Sequence, residues 1–421
     1  WNNGPVLLAG AVTWVNGTNG NIAGSTSPGG TVSASNSLVG TTANDQVGSG
    51  GVTPLFINGN YVVSSPNWNS GRGAVTFGNG TTGIIGLVSS SNSLVGSTPD
   101  TLPGDGDRVG SSGIIELFNG TNDNYLVLSP QWHNGAATSA GAVTWVNGTN
   151  GHAFGEALPG AVLSASNSLV GSTTNDAVGA FGVTRLINGN YVVESPNWNS
   201  GRGAVTFGSG TAGIAGPVSL SNSLVGSTPD TNFTGDHVGS SGIIELFNGT
   251  NDNYLALSPQ WNNGAATRAG AVTWVNGTNG HAFGETSPGA ILSVSNSLVG
   301  GTSNDQVGST GISCECSNFF PLPDGNFVLR TSNWTNPITN APRAGAVTFG
   351  SITTGIAGLV SSSNSIVGIS PNDNIGSGGI FPLTNGDFVV SSPNAANGAL
   401  LSACLVHVVT PGTGGTVTAP A

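Results

Sequence analysis

Six aspartates, Asp45, Asp107, Asp176, Asp236, Asp305 and Asp373, each stand two residues before a Val-Gly or Ile-Gly pair. A carboxylate there can act in acid–base catalysis or hold a metal. Its presence in every copy of one phrase points instead to turn work, the side chain accepting backbone N–H bonds. Asp105 and Asp107 form the one local carboxylate pair resembling a cation site, and two ligands are too few for calcium. His152 and His281 each precede Ala-Phe-Gly-Glu, with Glu156 and Glu285 four residues on. A His–Glu pair can hold a metal; a loop hydrogen bond is the plainer reading. No Gly-x-Ser-x-Gly elbow, zinc-spaced Cys/His set or phosphate loop is present. The expectation is no catalytic residue, no metal site, no cofactor and no enzyme.

Aromatic rings offer a second chemistry, stacking on sugars. Trp68, Trp132, Trp198, Trp261 and Trp334 follow Ser-Pro-x or Ser-Asn in loop-like stretches and are the candidate glycan contacts. The alternative is that they cover a sheet edge. Eight sequons, at Asn16, Asn79, Asn119, Asn147, Asn232, Asn248, Asn276 and Asn333, are candidate N-glycosylation sites in an exported protein. Six of these read Asn-Gly-Thr, where Asn-Gly is also what a tight turn wants. Cys314 and Cys316 are too close to pair without strain; Cys404 can pair with either, or all three can be small buried apolar groups.

These residues sit in a frame of repeated phrases. Ser-Asn-Ser-Leu/Ile-Val-Gly starts at Ser35, Ser91, Ser166, Ser221, Ser295 and Ser363. Gly-Ala-Val-Thr-Trp/Phe starts at Gly10, Gly73, Gly141, Gly203, Gly270 and Gly345, so the period is 62–75 residues by those positions. That length suits a small antiparallel sheet of about four strands. From Asp45 the copy reads as a turn, Val52–Phe56, an Asn58-Gly59 hairpin, Tyr61–Ser64, a Pro66 stop, Gly73–Phe77, and a fourth strand at Ser93–Gly96. No stretch has a helical period. The rings at one strand position, Trp14, Trp145 and Trp274 alternating with Phe77, Phe207 and Phe349, are read as packing between sheets, with sugar stacking as the alternative.

Composition narrows the rest. Charged residues make up 6% of the chain, against about 25% in an ordinary domain, and all seven basic residues are Arg. A net charge of −12 without a basic stripe argues against nucleic acid. No apolar run approaches 18 residues, so no membrane-spanning helix is expected. The 69 glycines recur at fixed phases between apolar runs, which is turn punctuation rather than disorder.

The order Val-Gly-x-x-Gly, Asn-Gly-Asn-Tyr-Val-Val-x-Ser-Pro, Gly-Ala-Val-Thr-Phe resembles the FG-GAP repeats of integrin-α-type propellers; Val178–Gly182 and Ser195-Pro196 match its elements best. The Gly-Ala-Val-Thr-Trp wording also resembles repeats of large bacterial surface proteins. The resemblance implies an all-β propeller of four-stranded blades. FG-GAP blades often carry a calcium loop, but the turns here, such as Asn58-Gly59-Asn60 and Asp324-Gly325-Asn326, lack its carboxylates. Six blades are favoured, with seven open. One propeller would cover 1–409, its ring closed by complementary N- and C-terminal strands, with 410–421 a Gly/Thr/Pro-rich tail or linker. The chain reads as a piece of a longer exported protein. Its expected role is an extracellular structural or adhesive surface module, self-assembling through strand exchange at its termini; the alternative is a lectin-like propeller binding cell-surface glycans.

Overall fold

Short β-branched and aromatic runs between Gly-rich turns become strands, as their spacing predicts. The structure is a computed structural model and describes residues 1–118, 123–247, 252–309, 318–396, 405–409 and 415–416. In the second copy the first strand (Val52–Pro54) pairs with the second (Tyr61–Ser65), the second with the third (Ala74–Gly78), and the third with the fourth (Ser93–Val95), all antiparallel. Among the described residues the only helical assignments are the single turns Trp68–Gly71 and Trp198–Gly201. Inside the first of these, Asn69 and Ser70 have left-handed backbone. The protein is an all-β repeat array.

The expected four-strand meander gains a fifth strand. After its third strand the chain leaves the sheet, lays Gly86–Leu87 parallel to Leu38–Val39 of the preceding copy, and returns as the fourth strand. Ala161–Val162 does the same against Leu94–Val95, Gly216–Pro217 against Leu169–Val170, and Ala290–Ile291 against Leu224–Val225. Gly358–Leu359 and Gly415–Thr416 continue the series. A two-residue strand of Gly-Leu or Gly-Pro has no apolar periodicity, so nothing in the sequence marks it.

Several of the repeated residues have a mechanical reason. The Thr of Gly-Ala-Val-Thr and the second Ser of Ser-Asn-Ser face each other on neighbouring strands, and their hydroxyls bond at 2.7 Å in Thr76–Ser93, Thr144–Ser168 and Thr348–Ser365. Both are buried. Gly73 opens the third strand with φ near +77°, and a Cβ there would lie 2.2 Å from Val109 N, so only glycine fits.

The third-strand rings pack on the next copy, as expected. A Cβ added to Gly151 would lie 2.5 Å from Phe77, one on Gly213 2.8 Å from Trp145, and one on Gly355 2.6 Å from Trp274. The Trp–Phe alternation has a polar counterpart. Trp14, Trp145 and Trp274 donate their indole N–H to the carbonyls of Gly80, Gly210 and Ile352, at 3.1, 3.0 and 2.9 Å. Phe77 has no such proton, and Asn58 Nδ2 supplies it to Gly148 O at 2.8 Å. A buried asparagine then links turns in series. Asn60 accepts from Gly80 N and donates to Gly148 O, while Asn124 accepts from Gly148 N and donates to Gly210 O.

Clustering of contacts divides the chain into two units, 1–199 with 208–218, and 200–207 with 219–421. In the first, Ala11–Val12 and Leu38–Val39 form a three-stranded sheet with Gly86–Leu87. In the second, Gly379–Pro382, Phe388–Ser392 and Leu405–Val409 form another. Leu405–Val409 fills the third-strand place of its own sheet, the phase that Ala11–Val12 also occupies, as the surplus of one strand read from the sequence has it. The tail expected at 410–421 is also amended, since Gly415–Thr416 pairs with Ile366–Val367. The three cysteines, at 314, 316 and 404, lie outside the described residues.

Candidate functional site

The six aspartates are all buried and all do the same work. In Asp236, Oδ2 accepts the backbone N–H groups of Ser227 and Thr228 at 2.7 Å, closing the loop after the fourth strand. Its Oδ1 accepts Asn262 N at 3.0 Å, one residue past Trp261 in the following copy. Asp45 reaches Asn69 N, Asp107 reaches His133 N, Asp176 reaches Asn199 N, Asp305 reaches Thr335 N, and Asp373 reaches Ala396 N in the same way. The turn role read from sequence is half of it; the other half fastens each copy to the next.

The loop tryptophans sit against these staples. Trp68, Trp132, Trp198, Trp261 and Trp334 are only 2–7% exposed, and Trp132 and Trp334 belong to apolar clusters between successive sheets. A ring enclosed by protein cannot stack on a sugar, so their assignment as glycan contacts is corrected. Pro-ended second strands and Gly-rich turns hid this, since loop-like sequence suggests exposure.

The other candidates separate rather than converge. Glu156 and Glu285 accept Nδ2 of the buried Asn167 and Asn296 at 2.9 Å. The Thr101 hydroxyl and the Leu102 N–H hold the Asp105 carboxyl below the usual range, whereas Asp107 is spent on Ser97, Thr98 and His133. Among the described residues no group of three or more His, Cys, Asp or Glu could hold a metal.

Glu194 is a buried acid that the sequence reading passed over. Its side chain points into the sheet at 8% exposure with Thr184 Oγ1 as partner at 3.0 Å, and burial pushes its carboxyl up to about 7. Because the folded value lies above the unfolded one of 4.5, the folded state holds a proton that the unfolded state releases between those pH values. Glu194 therefore contributes stability below about pH 4.5 that is lost as pH rises through 7, on the order of 3 kcal/mol. Denaturant midpoints for the wild type and Glu194→Gln, measured at pH 5 and pH 8, should show the variant gaining on the wild type at pH 8. Parallel curves would mean the carboxyl is not protonated when folded.

What remains open to solvent is the loop end where left-handed residues collect. In the first unit Gln46 and Arg108, with φ of 48° and 45°, follow two of the staple aspartates. Asn67 Nδ2 donates to Gln46 Oε1 at 2.8 Å, and Arg108 pairs with Asp100 at 2.8 Å. In the second unit His237 Nε2 lies 3.3 Å from Asp230, and Asn333 Nδ2 donates to Gln306 Oε1 at 2.9 Å. Here Ser303, Asn304, Gln306, Asn333, Thr335 and Arg343, with Pro342, line a polar cavity of about 310 Å³. The first unit also has a more apolar cavity of about 280 Å³ beside Phe118, Arg185 and Ile187.

A family model described as a repeat of unknown function, DUF5650, matches seven times, over residues 1–49, 55–111, 120–180, 185–240, 249–309, 321–377 and 382–419. The chain belongs to this family. No curated protein matches it. Seven DUF5650 copies are matched where the repeated phrases count six, because both ends supply partial copies that the six-fold phrases leave uncounted. The match supports a repeat protein and not the FG-GAP family in particular. Within the DUF5650 copies, four of the eight sequons serve as turns. Oδ1 of Asn16, Asn79, Asn147 and Asn276 accepts the N–H two residues on, at 2.8–2.9 Å. Asn232 is exposed, Asn333 is half-buried with its Nδ2 committed to Gln306, and Asn119 and Asn248 lie outside the described residues.

Proposed function

We propose that this chain is an extracellular structural or adhesive module whose copies join by strand addition. The observation that supports it most is the state of Leu405–Val409. This edge strand carries Val406 and Val408 at 67% and 61% exposure, without Pro or Lys to protect it. In the register of Val406 the equivalents Val75, Val143, Val272 and Val347 are 1–3% exposed, each closed over by the glycine of the following Val-Gly or Ile-Gly pair. A strand of another DUF5650 copy, from a second molecule, has the backbone and apolar residues to cover it. Ala11–Val12, at the edge of its own sheet, is the reciprocal partner in this reading.

Low charge, absence of Lys and the investment of repeated residues in junctions accord with a load-bearing role, and the absence of Lys excludes Lys–Asn isopeptide links within this segment. The radial, FG-GAP-like arrangement of copies is part of the proposal; electron micrographs of native material, ring against filament, test it. Deleting 1–14 or 403–409 is expected to abolish concentration-dependent self-association measured by light scattering. Truncated chains that associate like the full one would exclude strand exchange.

A further inference from the structure

We propose that the polar cavity beside Arg343 in the second unit is a binding site for a single acidic sugar residue, one carrying a carboxylate or sulfate. It stands apart from the assembly reading. The frame of the cavity recurs in the first unit, where Asn67 and Gln46 make the bond that Asn333 and Gln306 make here. Left-handed backbone recurs as well, at Leu8, Ser139, Arg268 and Arg343, so that geometry belongs to the repeat. The side chain at that phase varies: Leu, Ser, and Arg in the last two of these copies.

Arg343 is exposed, and its side chain makes no hydrogen bond or ion pair with the described residues. Elsewhere the guanidinium groups have partners: Arg108 holds Asp100, Arg72 caps Ser97 O and Asn69 O, and Arg330 bonds Gly376 O. Around Arg343 stand further free donors. Gln306 Oε1 is engaged by Asn333, which leaves its amide N–H₂. Ser303 Oγ accepts Thr267 N, which leaves its O–H to donate. A planar, permanently charged fork suits a carboxylate or sulfate oxyanion, and amide and hydroxyl donors suit ring oxygens and hydroxyls. Pro342 adds a small apolar wall. The volume is at the lower end of ligand pockets, enough for one ring. The protein's net charge of −12 repels anions elsewhere, so an unpaired guanidinium beside free donors is where one would be held.

A solvent-facing site of this kind binds weakly, with Kd in the millimolar range. The test is an NMR titration of the whole chain with methyl galacturonide, a galactose sulfate, neutral methyl galactoside and sodium sulfate. Expected are millimolar Kd values for both acidic sugars, at least about tenfold weaker binding by Arg343→Gln, and no change in Arg268→Gln. Binding undiminished in Arg343→Gln, equal binding of the neutral sugar, or no response to either acidic sugar would each overturn the site. Sodium sulfate binding as tightly as the sugars would overturn its saccharide selectivity. Because these titrations read single chains, their outcome is separable from that of the self-association experiment.

Discussion

Gly148→Ala is expected to destabilise the protein by about 3 kcal/mol or more, while Gly17→Ala changes almost nothing. Both glycines occupy the same words, Asn-Gly-Thr-Asn-Gly, at 16–20 and 147–151. Neither has the left-handed backbone that would demand glycine by itself. The difference is what lies beside them. A Cβ on Gly148 would sit 1.7 Å from Asp123 O, on the backbone of its own copy's hairpin, whereas one on Gly17 meets nothing within 4 Å. Backbone cannot step aside as a side-chain tip can, and displacing it breaks the Asn60 and Asn124 bonds that meet on Gly148. Chemical-denaturation midpoints of the two variants decide the matter. Similar midpoints would show that the turn has slack the close contact denies.

Asp236→Asn should cost about 3–5 kcal/mol although it is nearly isosteric. Both oxygens of Asp236 accept N–H groups: Ser227 N and Thr228 N on Oδ2, Asn262 N and Asn262 Nδ2 on Oδ1. An asparagine amide, whichever way it turns, sets its own N–H₂ against two donors at about 3 Å. No flip resolves the conflict, and the site is buried. The opposite case is Asp105→Asn, whose partners lie in one exposed loop and whose effect should stay below about 1 kcal/mol. Hydrogen exchange would localise the loss, with faster exchange both at Ser227–Thr228 and at Asn262. Faster exchange at the first loop alone would mean that the aspartate closes a turn and fastens nothing.

Much of this was legible because the sequence states it six times. Ser-Asn-Ser and Gly-Ala-Val-Thr carry the strand phases, and Thr76 facing Ser93 follows once those strands are paired. The turn duty of Asp45 and its equivalents was legible too, from the known habits of Asp. What stayed hidden lies between copies. Trp68 and its relatives follow Ser-Pro-x or Ser-Asn in polar sequence, and only the arrival of the next sheet encloses them. Gly86–Leu87 has too few residues to announce a strand. The reason for alternating Trp14 with Phe77 depends on Asn58, which local sequence presents as nothing more than a hairpin residue. The polar cavity takes its lining from stretches some forty residues apart, Ser303 and Arg343 among them, and spacing alone gave no hint of their meeting.

One asymmetry of the junction bears on how such arrays grow. A copy reaches forward with side chains: the Asp staple, the indole of Trp145, the amides of Asn58 and Asn60. What it finds in the copy ahead is mainly main chain: an N–H past the tryptophan, a carbonyl at the turn, a two-residue strand. Main chain is offered by any successor that keeps glycine where the rings of Phe77 and Trp145 come to rest. A gene can therefore gain or lose copies, and let their exposed loops diverge, without renegotiating the joints.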